Sequence, residues 1–411
     1  FNIMLERGFY NQCTNEEGFD QYLSECEQKG TPAVGYLGSD PTGDSLHVGH
    51  IVPLMMMRWF QKCGHKPLTL VGGATARIGD PSGKDKLRPF LSEETLAHNI
   101  EGLKKSFGKF LKFGDGRNDA VMVDNWDWFK DINYLSFLRD IGTYYSVNRM
   151  LTMDSVKSRL DREQPMSFLE FNYMLLQGYD FCELYRKYGC RAQIAGSDQW
   201  GNITSGTELG RRKYDVELFG FTSPIITDSA GRKMGKSEGN AVWINEDKLP
   251  AYDYYQYFRN IGDAEVGKCL RIYTDLPMDE IRRLEDLKDQ EINEAKKILA
   301  FEATKICRGF DEAKAAEETA VKTFEQGGIG GELPTLEKDN ITGLSVLDAF
   351  VEIGFCASKG EVRRLIKQNG IRVNDRAISD ENYVFDESDI VDGQIKIAQG
   401  KKKFGLIKQA G

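Results

Sequence analysis

Histidine is scarce, with four in 411 residues, and none of the eight cysteines stands in a Cys-x-x-Cys spacing, which excludes a zinc knuckle. Scattered cysteines in a chain that is not exported behave as small buried hydrophobes kept reduced in a cytosolic compartment. The Asn-x-Thr sequons at Asn202 and Asn340 then carry no meaning. Long hydrophobic runs are also missing: Arg58 interrupts the stretch after His50, well short of the roughly 18 residues a membrane helix needs. The start, Phe1-Asn2-Ile3-Met4, has neither the basic residues nor the apolar core of a signal peptide, so a cytoplasmic protein without membrane association is expected. A net charge of −9 argues against a surface that binds nucleic acid throughout. The charge is uneven, however. Residues 341–411 hold eleven Lys and Arg against ten Asp and Glu, a balance of +1, which leaves −10 on the first 340 residues.

A chain of this length allows two or three domains. Short apolar runs at 33–37, 67–71, 120–123 and 192–195 alternate with amphipathic helical patterns, which predicts parallel strands with crossover helices. A helical insertion is expected over about 133–165, and its apolar residues suggest a dimerisation surface. Ser167 and Glu170 form a capping box and Gly189 a stop, predicting a helix over 167–188. The expected organisation is a Rossmann-like α/β catalytic domain over 1–244, an all-α domain over 245–326, a glycine-rich linker over 327–340 and a small α+β domain over 341–411.

Five segments carry candidate chemistry. Tyr36 to His50 reads as a strand, a turn-rich loop and a helix start, with His47 and His50 three apart where a helix dipole favours phosphate. A metal site there would need a third ligand, and no further ligand type clusters nearby. Gly49 between the histidines lets a flat ring approach the backbone. Gly72 to Lys84 resembles a phosphate loop but is one residue short, and Asp85 stands where Ser or Thr should be. Tyr173, Gln177 and Asp180 share one face of the capped helix. Gln193 to Asn202 ends a further strand, in the crevice where open α/β sheets bind ligands. Gly231 to Asn240 is a glycine-bounded loop with Lys233 and Lys236, ordinary by itself.

Together, His47-Val48-Gly49-His50 and Lys233-Met234-Gly235-Lys236-Ser237 resemble the HIGH and KMSKS signatures of class I aminoacyl-tRNA synthetases, in the right order and about 180 residues apart. With the three other segments, nearly the whole chain resembles bacterial-type tyrosyl-tRNA synthetases. In the tail, Gly354 to Ile366 and Gly370 to Asn374 resemble a small RNA-binding domain first known from a ribosomal protein, which implies that Arg363, Arg364, Lys367 and Arg372 meet tRNA.

The resemblance implies a two-step reaction: tyrosine and ATP give tyrosyl-adenylate and pyrophosphate, and the tyrosyl group then passes to the terminal adenosine of tRNA(Tyr). Catalysis of the first step must come from positioning and charge stabilisation, because the attacking carboxylate is already ionised. Thr42, His47, His50, Lys84, Arg88, Lys233 and Lys236 are implied on the triphosphate, and Asp40, Gly49, Asp198, Met234 and Ser237 in the rest of the ATP site. Asp80, Tyr173 and Gln177 are implied on the ammonium group, with Gln193 supporting and Gln199 near the carboxylate or sugar. Tyr36 and Asp180 are implied on the phenol hydroxyl; phenylalanine would leave them unpaired. Magnesium is expected with ATP and no metal bound by the protein itself, in a homodimer. Ser39, Gly235 and Ala195 depart from the family's usual residues. A tryptophanyl-tRNA synthetase would lack the tail and the Tyr36 and Asp180 pair; an inactive synthetase-like RNA-binding protein would not need both histidines and both lysines.

Overall fold

The computed structural model describes residues 1–80, 91–228, 231, 233–237, 240–324, 333–391, 393–400 and 403–409. These form two compact units, Phe1–Phe310 and Asp311–Gly411. The first is built on a sheet of β1 (Gln12–Cys13), β2 (Val34–Ser39), β3 (Lys66–Val71), β4 (Val121–Asp124), β5 (Ala192–Gly196) and β6 (Phe219–Ser223), in the order β1-β6-β5-β2-β3-β4. β2 to β6 run parallel and β1 pairs antiparallel with β6. The four strands expected from the apolar runs are present; β1 and β6 are additional. From β2 the chain moves to β3 on one side and later returns to β5 on the other, so the strand order reverses at β2. Ligands of open α/β sheets bind outside the carboxyl ends at such a point.

Helices α1 (Glu16–Gln28), α2 (Val48–Lys62), α3 (Glu93–Gly108), α4 (Phe168–Tyr188) and α5 (Trp200–Tyr214) flank the sheet. Side chains alternate across a strand. A Cβ at Gly35 would meet the Phe60 ring of α2 at 3.2 Å, whereas Tyr36 packs edge-on against Phe181 of α4 with centroids 5.2 Å apart. The two helices therefore cover opposite faces. The helix expected over 167–188 has its reciprocal Ser167 and Glu170 box and a left-handed Gly189 stop at φ 66°.

The expected insertion is present as short helices Tyr134–Asp140, Val147–Met150 and Asp154–Asp161. Phe137, Ile141, Met150 and Val156 pack with Met174, Leu175 and Cys182 of α4. Arg159 and Glu170 form an ion pair with both side chains 4% exposed, which ties the insertion to the cap of α4.

Composition changes near 245 and 327 mark expected domain limits, but the division between compact units falls at 310/311. Helices α6 (Ala251–Arg259), α7 (Val266–Tyr273), α8 (Met278–Glu285) and α9 (Ile292–Arg308) belong to the first unit. The physical reason is a set of buried bolts. The Arg7 guanidinium donates to the carbonyls of Arg271 and Thr274 at 2.9 and 3.0 Å and stacks on Trp59. Arg58 of α2 grips Asp275 through two of its nitrogens, and Arg308 donates to the carbonyls of Trp243 and Leu249.

The second unit carries β7 (Thr335–Lys338), α10 (Val346–Glu352), α11 (Lys359–Lys367), β8 (Ile371–Val373), β9 (Arg376–Ala377), β10 (Gln394–Gln399) and β11 (Lys403–Gln409), with sheet order β9-β8-β10-β11-β7. Its core joins Phe350, Val362, Ile366, Ile371, Phe385, Ile395, Ile397 and Ile407. β7 pairs parallel with β11, so residues 335–338, expected in the linker, belong to the sheet. Residues 325–332, which include the linker glycines, lie outside the described residues.

Candidate active site

Three of the parallel strands end in a carboxylate or lead into one. Asp40 follows β2, Asp124 ends β4 and Asp198 follows β5. Asp40 accepts from the Thr75 hydroxyl at 2.7 Å and from the Tyr173 hydroxyl at 3.0 Å. Asp124 accepts from the Gly73 amide at 3.1 Å. The loop after β3 lies so close to these groups that a Cβ at Gly72 or Gly73 would stand 2.0 or 2.2 Å from a carboxylate oxygen of Asp40 or Asp124. Only glycine fits at both positions. Asp40, expected on the ATP side, is thus bonded to a residue expected on the tyrosine side.

Burial, reinforced by the charges of Asp40 and Asp80, pushes the Tyr173 phenol well above its ordinary range. It stays protonated and donates to Asp40, which leaves its oxygen lone pairs for an incoming donor. Next to it an amide relay runs between elements. Gln199 donates to Asp80 at 2.9 Å, and Asn202 donates to Gln199 at 3.2 Å and to Gln177 at 2.9 Å. Burial and the neighbouring Asp80 raise Asp198 above the usual carboxylate range, with Lys233 opposing. So dense a group of acids favours a cationic group in the crevice.

Deeper, Asp180 is 2% exposed and accepts from Asn125 Nδ2 at 3.0 Å and Trp128 Nε1 at 2.8 Å. Burial, opposed by those two donors, raises its carboxyl well above the ordinary value. Among the described residues, Tyr36, fully buried beside it, has no partner for its hydroxyl, and neither has Gln193 Oε1. Tyr36 and Gln193 sit side by side on β2 and β5, hence on the same face of the sheet. Two residues further along β2, a Cβ at Gly38 would meet only the Tyr36 ring, at 3.8 Å, so there is open space above that ring. Unpaired buried polar atoms are costly, and a polar ligand in that space would satisfy them.

The end of the crevice that carries the two histidines is built differently. His47 caps α2, accepting from the Gly49 amide through Nδ1 at 3.0 Å, while His50 Nδ1 accepts from the His47 amide at 3.3 Å. The rings lie 3.9 Å apart. With Nδ1 as acceptor, each neutral ring carries its proton on Nε2. His47 also pairs by its backbone with Trp243, so the histidine loop is laced to the chain leaving the lysine loop. Thr42 is exposed, its amide bonded to the Asp40 carbonyl. Lys233 is exposed, and the Met234 amide donates to Ile226 O. Lys84 and Arg88 lie outside the described residues, as do the side chains of Lys236 and Ser237. Among the described residues no group of three or more His, Cys, Asp or Glu is placed to hold a metal ion.

In the second unit α11 buries Val362 and Ile366 and exposes Arg363, Arg364 and Lys367, while Arg372 lies half-buried on β8. Arg363 and Arg364 approach Glu381 and Glu361 no closer than 3.7 and 3.8 Å. Exposed pairs of this kind are weak and leave the cations available.

Asn125, Trp128, Thr75, Asp124 and Asn202 were not singled out from sequence. Only their position just after strand or helix starts could have flagged them.

A family described as tRNA synthetases class I (W and Y) matches residues 28–325, and one described as the tyrosine–tRNA ligase SYY-like C-terminal domain matches 324–407. A tyrosine–tRNA ligase from Rhodospirillum rubrum is 52% identical over 409 residues, covering 99% of this chain and 97% of the relative. One from Nitrobacter winogradskyi is 50% identical, covering 100% and 98%. A C-terminally truncated mitochondrial tyrosyl-tRNA synthetase from Aspergillus nidulans superposes with a TM-score of 0.69 at 29% identity, over 78% of this chain and 93% of that one. Both family matches and full-length identity near one half agree with the arrangement of the crevice: the chain belongs to the tyrosine–tRNA ligase family of class I tRNA synthetases.

Proposed function

We propose that the chain activates tyrosine with ATP and transfers it to tRNA(Tyr). The observation that carries this reading is the Tyr36 hydroxyl, buried beside Asp180 and, among the described residues, without a partner and below open space. A substrate phenol is a donor and an acceptor at once: it gives its proton to Asp180 and accepts from Tyr36. The ammonium group lies among Asp80, Tyr173 and Gln177, with Gln193 and Gln199 behind them. The family's tryptophan-specific members offer no phenol to this pair.

The tyrosine carboxylate attacks the α-phosphorus, forming a C–O–P link as the bond to the β,γ-diphosphate breaks, and pyrophosphate leaves with the electron pair. Thr42, His47, His50, Lys84, Arg88, Lys233 and Lys236 take the charge that moves toward pyrophosphate. Asp198 holds the ribose hydroxyls, and Asp40, Gly49, Met234 and Ser237 complete the nucleotide site. Magnesium arrives with the phosphates. The 3′-terminal adenosine hydroxyl then attacks the tyrosyl carbonyl and adenosine monophosphate leaves. Arg363, Arg364, Lys367 and Arg372 contact tRNA phosphates. Exposed Leu135, Val147, Leu151 and Phe168 in and beside the insertion favour a homodimer. No described helix is long and apolar enough to cross a membrane, and a cytoplasmic location accords with protein synthesis.

The test is tyrosine-dependent ATP–pyrophosphate exchange with every other amino acid as a control. Exchange stimulated by tryptophan, or by none, would overturn the reading.

A further inference from the structure

The central position of the lysine signature is Gly235, and its surroundings admit nothing larger. Its φ is +108°, where a side chain is strained, and a Cβ built on it would stand 2.6 Å from the Gly49 amide nitrogen and 3.1 Å from the Gly49 Cα. The reverse holds as well: a Cβ at Gly49 would lie 3.1 Å from the Met234 carbonyl oxygen. Lysine loop and histidine loop therefore meet backbone to backbone through two glycines.

Two bonds fix the seat. Gly235 O accepts from the Val242 amide at 2.9 Å, and the Gly235 amide donates to the Tyr257 hydroxyl at 3.2 Å. Tyr257 belongs to α6, which packs on α9, away from the sheet. Its ring lies edge-on to Phe258, centroids 5.1 Å apart, and burial pushes its phenol above the ordinary range, so it remains a neutral hydroxyl able to accept an amide. A helix remote from both signatures thus supplies the atom that holds one against the other.

We propose that Tyr257 is a positioning residue for adenylate formation, and that Gly235 is required because the loop is seated by backbone contact with Gly49. This rests on the tyrosine-activation reading above. The hydroxyl touches neither substrate; it sets where Lys233, one residue before Met234, stands relative to the crevice. Restoring the signature's usual serine at 235 then harms the enzyme, because the hydroxymethyl group has no space in the seated loop.

The experiment measures single-turnover tyrosyl-adenylate formation and equilibrium tyrosine binding for the full-length protein and for Tyr257→Phe, Gly235→Ser and the double variant. Loss of one amide-to-hydroxyl bond is expected to slow Tyr257→Phe about fivefold. Gly235→Ser is expected to slow the step about a hundredfold by unseating the loop. Tyrosine Kd should stay within about twofold in each, since Asp180 and Tyr36 are untouched. In the double variant the Tyr257 effect should vanish, as coupled groups require. Wild-type rates in Tyr257→Phe, additive effects in the double variant, or a serine variant as fast as the parent would overturn the proposal. A parent protein that forms no tyrosyl-adenylate would instead overturn the tyrosine-activation reading, which separates the two failures.

Discussion

The two ends of the crevice solve opposite problems. At the proposed phenol end the groups are buried and the bonds run between side chains: Asp180 is held by Asn125 and Trp128 and Gln177 by Asn202, while the Tyr36 hydroxyl has no partner among the described residues. At the nucleotide end Thr42, His50 and Lys233 are exposed and the order lies in the backbone. A buried, pre-bonded pocket discriminates in the ground state, because a wrong ligand leaves polar atoms unpaired. Exposed groups on a backbone frame cost little to keep and act where charge appears during the reaction. The proposed function thus separates specificity from rate physically.

The sharpest way to break that separation is at the nucleotide end. His47→Ala is expected to cost about 3 kcal/mol of transition-state stabilisation, roughly a hundredfold in single-turnover adenylation, with tyrosine Kd within a few-fold. A comparable loss of tyrosine affinity would merge the two ends into one site. At the phenol end, Asn125→Ala leaves one oxygen of a buried carboxylate without its donor, at about 1–3 kcal/mol. That should lower the tyrosine over phenylalanine ratio of kcat/KM by roughly tenfold or more, while ATP dependence is unchanged. Tyr36→Phe tests the cost of preorganisation. Removing an unpaired buried hydroxyl is expected to raise the Tm of the ligand-free protein by about 2–4 °C while tyrosine Kd rises about tenfold. Calorimetry and equilibrium dialysis read both numbers; a lower Tm would mean that the hydroxyl has a partner in the free protein.

The smallest effect concerns acid. Burial alone would raise Glu170, but the Ser167 amide and hydroxyl and the Arg159 guanidinium hold it below its ordinary value of 4.5. A carboxyl lowered in the folded state contributes stability above its unfolded pKa and loses it as pH falls through the folded one. Hydrogen exchange within 156–170 should therefore speed up as pH drops below about 4.5, beyond the intrinsic rate change, and Glu170→Gln should abolish that extra dependence.

Legibility followed distance along the chain. The cap of α4 was readable because Ser167 and Glu170 are three residues apart, and β2 to β5 because their apolar runs are continuous. β6, Phe-Gly-Phe-Thr-Ser, was missed; a glycine and two hydroxyls dilute the apolar signal, and its burial comes from β5 and β1. At the site, Lys84 and Arg88 fall outside the described residues, and the groups that hold Asp180 and Gln177, namely Asn125, Trp128 and Asn202, do so from 25 to 55 residues away. No local pattern encodes such pairings. Gly235 read as a departure from a signature; only the approach of Gly49 gives it a cause.

The closing strand of the second unit has a consequence for how the protein is made. β7 pairs through Thr335 with Leu406 of β11, so the first strand of that sheet waits for the last. During synthesis β7 emerges with one edge unsatisfied and stays so until β11 has followed it, a non-local closure of the kind that folds slowly. A stalled or prematurely terminated chain would present β7 and β10 as open edges, templates for pairing with other chains. The module that carries Arg363 and Arg364 is thus assembled only once β11 has been made.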